Sequence, residues 1–165
     1  PSPMRFLTLL ALAGLVAAPA AAQTPTQTLS GVIGADRTLD ASQVYLIDGE
    51  VYVDNGVTLT IPAGTVLKGR QQPSSGVGAS VLVVQRGARL VANGTAAQPI
   101  IFTAEADNVA DAFDTNESQR GLWGGLILLG NATNNRGVRN IEGIPATDRT
   151  AYGCGDTAFP TCDDD

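Results

Sequence analysis

The chain has 165 residues, of which 44% are apolar, 5% aromatic and 16% charged, with a net charge of −6. It contains no histidine, which excludes Ser–His and Cys–His catalysis and histidine-ligated metal sites within these residues. The acidic balance disfavours nucleic acid as a partner. Its 19 glycines and few aromatic residues are typical of a turn-rich β architecture rather than a helical bundle.

The N-terminal segment has the pattern of a cleaved export signal. Met4 and Arg5 supply a start and a basic residue, Phe6–Ala18 is a continuous apolar run, and a small-residue cleavage site ends at Ala22. We therefore expect a helical signal peptide over residues 1–22, cleaved after Ala22, and a secreted or cell-surface protein. The apolar run is shorter than the ~20 residues that a membrane span requires, so we expect no span after cleavage. A buried core helix or a membrane anchor is the alternative.

A repeat of short β-branched strands organises the rest of the chain. Five positions keep their character when the sequence is shifted by 31 residues. The pairs are Val51/Leu82, Val53/Val84, Gly56/Gly87, Leu59/Leu90 and Ile61/Ala92. Residues 70–79 form a ten-residue Pro/Ser/Gly insertion between the copies, and without it the period is 21 residues. A period of this length predicts a solenoid of stacked short strands with glycine at its corners.

Two further features extend or challenge this prediction. Residues 99–103 and 121–130 supply the strands of a further turn, and an acidic loop over 105–120 leaves the coil between them. Asp54-Asn55-Gly56 is a tight-turn signal, which would instead pair residues 51–53 antiparallel with 58–61. A β-sandwich or a Greek-key barrel would use such hairpins throughout. The repeated motif favours the parallel coil.

Several segments resemble a known family. They are Gly56–Gly69 with its core LTIPAGTVLKG, Pro99–Glu105 (PIIFTAE), Arg120–Gly130 (RGLWGGLILLG) and Ile141–Pro145 (IEGIP). Together they resemble large secreted proteins of Gram-negative bacteria that form right-handed parallel β-helices of the pectin-lyase-like type. The resemblance covers about residues 29–153 and implies an all-β fold of which only the first coils are present. It implies no catalytic residues, because most members have no assigned activity.

This resemblance divides the chain into four parts. Residues 1–22 are upstream residues and the signal peptide, and 23–28 are a polar linker. Residues 29–153 are an N-terminal cap and the first β-helix coils. Residues 154–165 are a loop truncated by the end of a fragment, which we expect to belong to a longer protein.

The acidic loop and one tryptophan are the candidate ligand sites. Pectate lyases on this fold use carboxylate-bound calcium, and calcium takes six to eight oxygen ligands. Candidate calcium ligands are Glu105, Asp107, Asp111 and Asp114, with Glu117 beside them, although a solvated loop explains the same residues and the order of a calcium-binding loop is absent. Trp123 is a candidate platform for a sugar ring, or alternatively a core residue between glycines. Calcium is the one possible cofactor.

Cysteines and basic residues complete the candidates. Cys154 and Cys162 are the only cysteines, and in an exported protein we expect them to form a local disulfide. Between Asp54 and Glu105 the only charged residues are basic. They are Lys68, Arg70, Arg86 and Arg89. If they stack on adjacent turns they form a basic strip, either a solvated face or a contact for an acidic glycan.

These observations predict an exported β-solenoid with a structural or adhesive role at the cell surface. An extracellular or cell-surface polysaccharide is the expected partner. The alternatives are a calcium-dependent polysaccharide lyase and a non-catalytic glycan-binding protein, whose site would lie mainly in coils beyond this chain.

Overall fold

The computed structural model describes residues 23–76, 78–116 and 118–163, so the predicted signal peptide lies outside the described residues. Eleven strands and one three-residue 3-10 helix, Asp148–Thr150, lie in these ranges. The strands are β1 (Gln27–Ile33), β2 (Arg37–Thr38), β3 (Val44–Val53), β4 (Thr58–Ile61), β5 (Val66–Gly69), β6 (Val81–Val84), β7 (Arg89–Ala92), β8 (Ile101–Ala104), β9 (Gly125–Leu128), β10 (Arg139–Asn140) and β11 (Ala151–Tyr152). In the part of the chain described here, no helix has the length and apolar character needed to cross a membrane.

Parallel pairing stacks the first nine strands into three faces of a coil. Face A holds the first halves of β1 and β3, followed by β5 and β8. Face B holds the second halves of β1 and β3, followed by β6 and β9. Face C holds β2, β4 and β7. Each turn of the coil, which we call a rung, passes through face A, then B, then C, so the predicted all-β parallel β-helix is confirmed.

The register agrees with the predicted repeat. Val51 pairs with Leu82 and Leu59 pairs with Leu90, each across the predicted shift. Residues 51–53 and 58–61 lie on different faces and pair with the next rung, so the alternative antiparallel hairpin does not form.

Glycine makes the corner between faces B and C. Gly56 and Gly87 have φ angles of 77° and 73°, a region that side-chain-bearing residues resist. The two corners are stacked, because the Gly56 N–H donates to the Gly87 carbonyl over 3.1 Å.

Apolar side chains fill the coil from one rung to the next. The inner cluster contains thirteen buried residues, with Leu59, Leu82 and Ile47 each fully buried. A second cluster lies on the outside of face B, where Val81 and Val83 are covered by side chains that include Ile141 and Ile144. Strand β6 is therefore buried on both of its surfaces.

Two boundaries differ from the sequence prediction. Strand β1 begins at Gln27, inside the predicted 23–28 linker, because Gln27 and Thr28 continue the pairing with β3 while their side chains stay exposed. Residues 131–153 add no rung: β10 and β11 pair antiparallel instead. This stretch is rich in Asn, Gly and Arg and lacks the β-branched runs that stack in the coil.

Two leucines on face B provide a matched test of the stacked core. We expect Leu82→Ala to lower the free energy of unfolding by about 2–5 kcal/mol, because it leaves a cavity between rungs. Leu128→Ala, one rung away and 63% exposed, should change it by less than about 0.5 kcal/mol. Urea denaturation followed by circular dichroism measures both values. Equal losses for the two variants would contradict the stacked core.

Candidate functional site

Two long loops leave the coil at the same corner. In the second rung, Asp48 and Gly49 are enough to turn the chain from face A to face B within β3. In the next two rungs the same corner contains residues 70–80 and 105–124. Gly69 pairs with Ala104 before the two loops, and Val81 pairs with Gly125 after them. The loops, which we call the stacked excursions, therefore begin and end on adjacent rungs.

Charged groups tie the bases of the stacked excursions together. Arg70 Nη1 lies 2.8 Å from Asp48 Oδ2, and Arg70 Nε lies 3.5 Å from Glu105 Oε2. The Ser74 N–H and hydroxyl donate to the Asp48 carboxylate over 2.7 and 2.6 Å. Burial alone would raise the pKa of Asp48, but the Ser74 hydrogen bonds and the Arg70 charge outweigh it and lower the pKa. One arginine thus connects three successive rungs.

A cavity of about 390 Å³ opens at the second excursion, and Trp123 is part of its wall. The described wall residues are Phe102, Thr103, Ala104, Thr115, Asn116, Gln119, Gly121, Leu122 and Trp123. The indole is half-buried and also packs against the inner cluster. The sequence offered a core role and a ligand role for Trp123 as alternatives, whereas its position is compatible with both. Whether it binds a sugar stays a prediction.

Gly69 makes this position of the indole possible. A Cβ atom at residue 69 would lie only 2.4–2.5 Å from Cγ, Cδ2 and Cε3 of Trp123, so the ring lies directly against the backbone of the rung below. Sequence reasoning did not identify Gly69 or the polar wall residues. Gly69 pairs with Ala104 across a shift of 35 residues, which differs from the 31-residue shift between Val51 and Leu82, so the repeat did not align them.

The predicted calcium ligands are engaged separately. The Asp107 carboxylate accepts a hydrogen bond from the Thr103 hydroxyl, and the Asp114 carboxylate accepts one from the Asn108 N–H. Asp111 Oδ1 accepts from the Phe113 N–H over 3.0 Å, and Glu105 faces Arg70. Among the described residues, no three His, Cys, Asp or Glu side chains form a group that could hold a metal ion. Glu117 lies outside the described residues, and calcium binding stays a prediction.

The predicted basic strip is wrong, because two of its members are buried. Lys68 is 4% exposed and its Nζ donates to the Asp107 carbonyl over 2.7 Å. Arg86 is 5% exposed and pairs with Asp156 at 2.7 Å. Arg70 forms ion pairs with Asp48 and Glu105. Of the four residues, only Arg89, on β7, is exposed. These four residues therefore do not form a continuous exposed basic strip.

Arg86 fastens the C-terminal segment to the corner of a rung. Its Nη1 donates to the Gly153 carbonyl over 2.8 Å, and its guanidinium carbon lies 4.5 Å from the centre of the Phe159 ring. Cys154 and Cys162 are joined by a disulfide with their Cα atoms 5.2 Å apart, and the loop that it closes contains Asp156 and Phe159. The disulfide loop is therefore held to the coil by one buried cation.

This attachment should depend on pH. Hydrogen bonds from Arg86 and from the Phe159 N–H lower the pKa of Asp156. A carboxyl group whose pKa is lower in the folded chain stabilises it above the unfolded pKa of about 3.9, and the stabilisation is lost as the pH falls through the folded pKa. We expect Asp156→Asn to be less stable than the wild type at pH 7, with the difference closing below about pH 3.

Thermal unfolding followed by circular dichroism from pH 2 to pH 7 tests this expectation. Asp163→Asn, at an exposed position just beyond the disulfide, is the control and should follow the wild type. A constant difference between Asp156→Asn and the wild type at every pH would contradict the role given to the ion pair.

Comparison with known proteins supports the geometry described above. A family model described as a pectate-lyase-like beta helix domain matches residues 31–158. No curated protein and no solved structure gives a significant match. The match covers the parallel coil from Gly31 onwards, both stacked excursions and most of the disulfide loop. The chain therefore belongs to the pectate-lyase-like beta helix domain family.

Proposed function

We propose that this protein is exported and acts at the cell surface as a non-catalytic, adhesive β-helix that contacts a polysaccharide through its stacked excursions. One observation carries this proposal: two long loops leave adjacent rungs at the same corner, tied together by Arg70. The coil supplies a rigid support, and surface loops held by such a support are where binding residues concentrate in proteins.

The cavity beside Trp123 is the proposed contact point. An aromatic ring that is apolar on its face suits the C–H surface of a sugar, while hydroxyl and amide groups suit its hydroxyls. Thr115, Asn116 and Gln119 supply such groups from the second excursion. The indole ring and the polar side chains lie in the same wall. Most small-molecule sites likewise combine an apolar surface with a few polar groups that orient the ligand.

Replacing the tryptophan tests adhesion. We expect Trp123→Ala to weaken retention of the purified chain on cell envelopes and on polysaccharide-coated beads by about tenfold or more, because aromatic anchors dominate binding energy. Phe113→Ala is the matched control, since Phe113 is an aromatic residue of the same excursion that is 92% exposed and outside the cavity wall. Circular dichroism checks that both variants fold. Equal retention of the two variants would contradict the proposed contact.

The lyase alternative predicts a different result in a second assay. Because the lyase site would lie mainly in coils beyond this chain, the intact protein purified from the producing cells is incubated with polygalacturonate or alginate and calcium, and the ultraviolet absorbance of unsaturated products is followed. We expect none. Product formation that a chelator abolishes would overturn the non-catalytic proposal and support the lyase.

Export is tested by the mass of the protein recovered from the producing cells. We expect the chain in the medium or at the cell surface to begin at Gln23, because the signal pattern ends at Ala22. A cytoplasmic chain that retains residues 4–22 would contradict export.

A further inference from the structure

The wall of the Trp123 cavity has a composition that selects among glycans. All nine of its described residues are uncharged, and its hydrogen-bonding side chains belong to Thr103, Thr115, Asn116 and Gln119. Three of these also have partners in the protein: the Thr103 hydroxyl donates to Asp107, Asn116 Oδ1 accepts from Ser118, and Gln119 Oε1 accepts from the Asn116 N–H. Hydroxyl and amide groups match sugar hydroxyls, which both donate and accept hydrogen bonds. A carboxylate sugar brought against this wall would lose hydration, and none of the nine described wall residues offers a cation in exchange, which is costly.

The acidic segment that supplies three of the nine described wall residues also disfavours an acidic ligand. Residues 105–120 contain five acidic residues and one arginine. The cations near this segment have partners within the protein. Arg70 pairs with Asp48 and Glu105, and Lys68 is buried against the Asp107 carbonyl. Arg120, inside the segment, also has an interaction partner. An acidic polysaccharide would therefore approach a negatively charged loop, whereas an uncharged one meets no such repulsion.

We infer that the Trp123 cavity binds a neutral glycan, with a sugar ring against the indole and its hydroxyls on the threonine and amide groups. This inference rests on the proposed adhesive function and adds the ligand class. The family to which the chain belongs is described by its likeness to pectate lyase, whose substrate is acidic, so the inferred class does not follow from the family match.

Gly69 acts here as a positioning residue. It touches no ligand, but its missing side chain lets the indole lie against the rung, where a Cβ would approach ring atoms to 2.4 Å. Gly69→Ala therefore keeps the aromatic ring and changes its place. We expect this variant to shift the tryptophan emission before any ligand is added and to weaken glycan binding.

The single tryptophan of the chain gives a direct readout. Emission is titrated with cellotetraose, laminaritetraose and mannotetraose as neutral probes and with tetragalacturonate as the acidic one, at 0.1 M and 1 M NaCl. We expect a saturable change with at least one neutral probe and none with tetragalacturonate at either salt. At about 1 M salt, screening largely removes the repulsion by the acidic loop, so the lack of a cation among the described wall residues is then what disfavours tetragalacturonate.

A negative charge introduced into the wall tests whether the uncharged side chains there contribute to glycan binding. We expect Gln119→Glu to weaken neutral-probe binding at least about tenfold, and Asn116→Asp repeats the test should the first variant fail to fold. Gln98→Glu is the matched control, at an exposed glutamine outside the wall, and should bind as the wild type does.

Each outcome decides between the inference and the proposed function. Tighter binding of tetragalacturonate than of every neutral probe overturns the neutral class and leaves adhesion through Trp123 standing. No change with any probe overturns the inference. If Trp123→Ala is also retained on polysaccharide as well as the wild type, the proposed function fails with it.

Discussion

The in-register parallel pairing between rungs is the constraint on which the other features depend. Val51 lies on Leu82 and Leu59 lies on Leu90, so an inward-pointing residue of one rung always covers an inward-pointing residue of the next. Side chains alternate along a strand, and a slip of one residue would turn the apolar set towards solvent. The faces therefore tolerate no extra residues, and additional sequence can enter only at the corners.

The placement of charge follows from that constraint. Arg70 stands where a face ends, and it reaches a carboxylate on the rung below and another on the rung above. Arg86 occupies the opposite end of face B and draws the disulfide loop onto the coil. Both cations sit at points where the backbone leaves the sheet. Their carboxylate partners pair with charged side chains that the backbone hydrogen bonds of the sheet cannot satisfy.

The coil could be predicted from the sequence where the two copies of the repeated strand motif have the same internal spacing. The shift that aligns Val51 with Leu82 also aligns the glycine corners, because no residues are inserted between those positions within a copy. On face A the equivalent shift between Val66 and Ile101 is 35 residues, and on face B that between Val81 and Gly125 is 44. Unequal loops obscure such neighbours, and this is why the wall of the Trp123 cavity was not predicted beyond the tryptophan.

Buried charge was the other feature that sequence could not supply. Lys68 and Arg86 look like surface residues of a basic stretch, but their partners are 39 and 70 residues further along the chain. Local composition carries no information about contacts at that distance. Only the wrapping of the later segments around the earlier rungs makes these positions interior.

The corner between faces A and B allows the chain to vary in length while the pairing of the strands stays the same. Two residues turn the chain there in one rung, while the next two rungs insert 70–80 and 105–124, yet the strands on either side keep their partners. The outer part of a segment at this corner can therefore be lengthened, shortened or replaced while the strands keep their partners, provided that Trp123 keeps its place against the inner cluster. For a protein engineer the same corner is a grafting point, where a foreign peptide would be displayed from a scaffold that does not need to change.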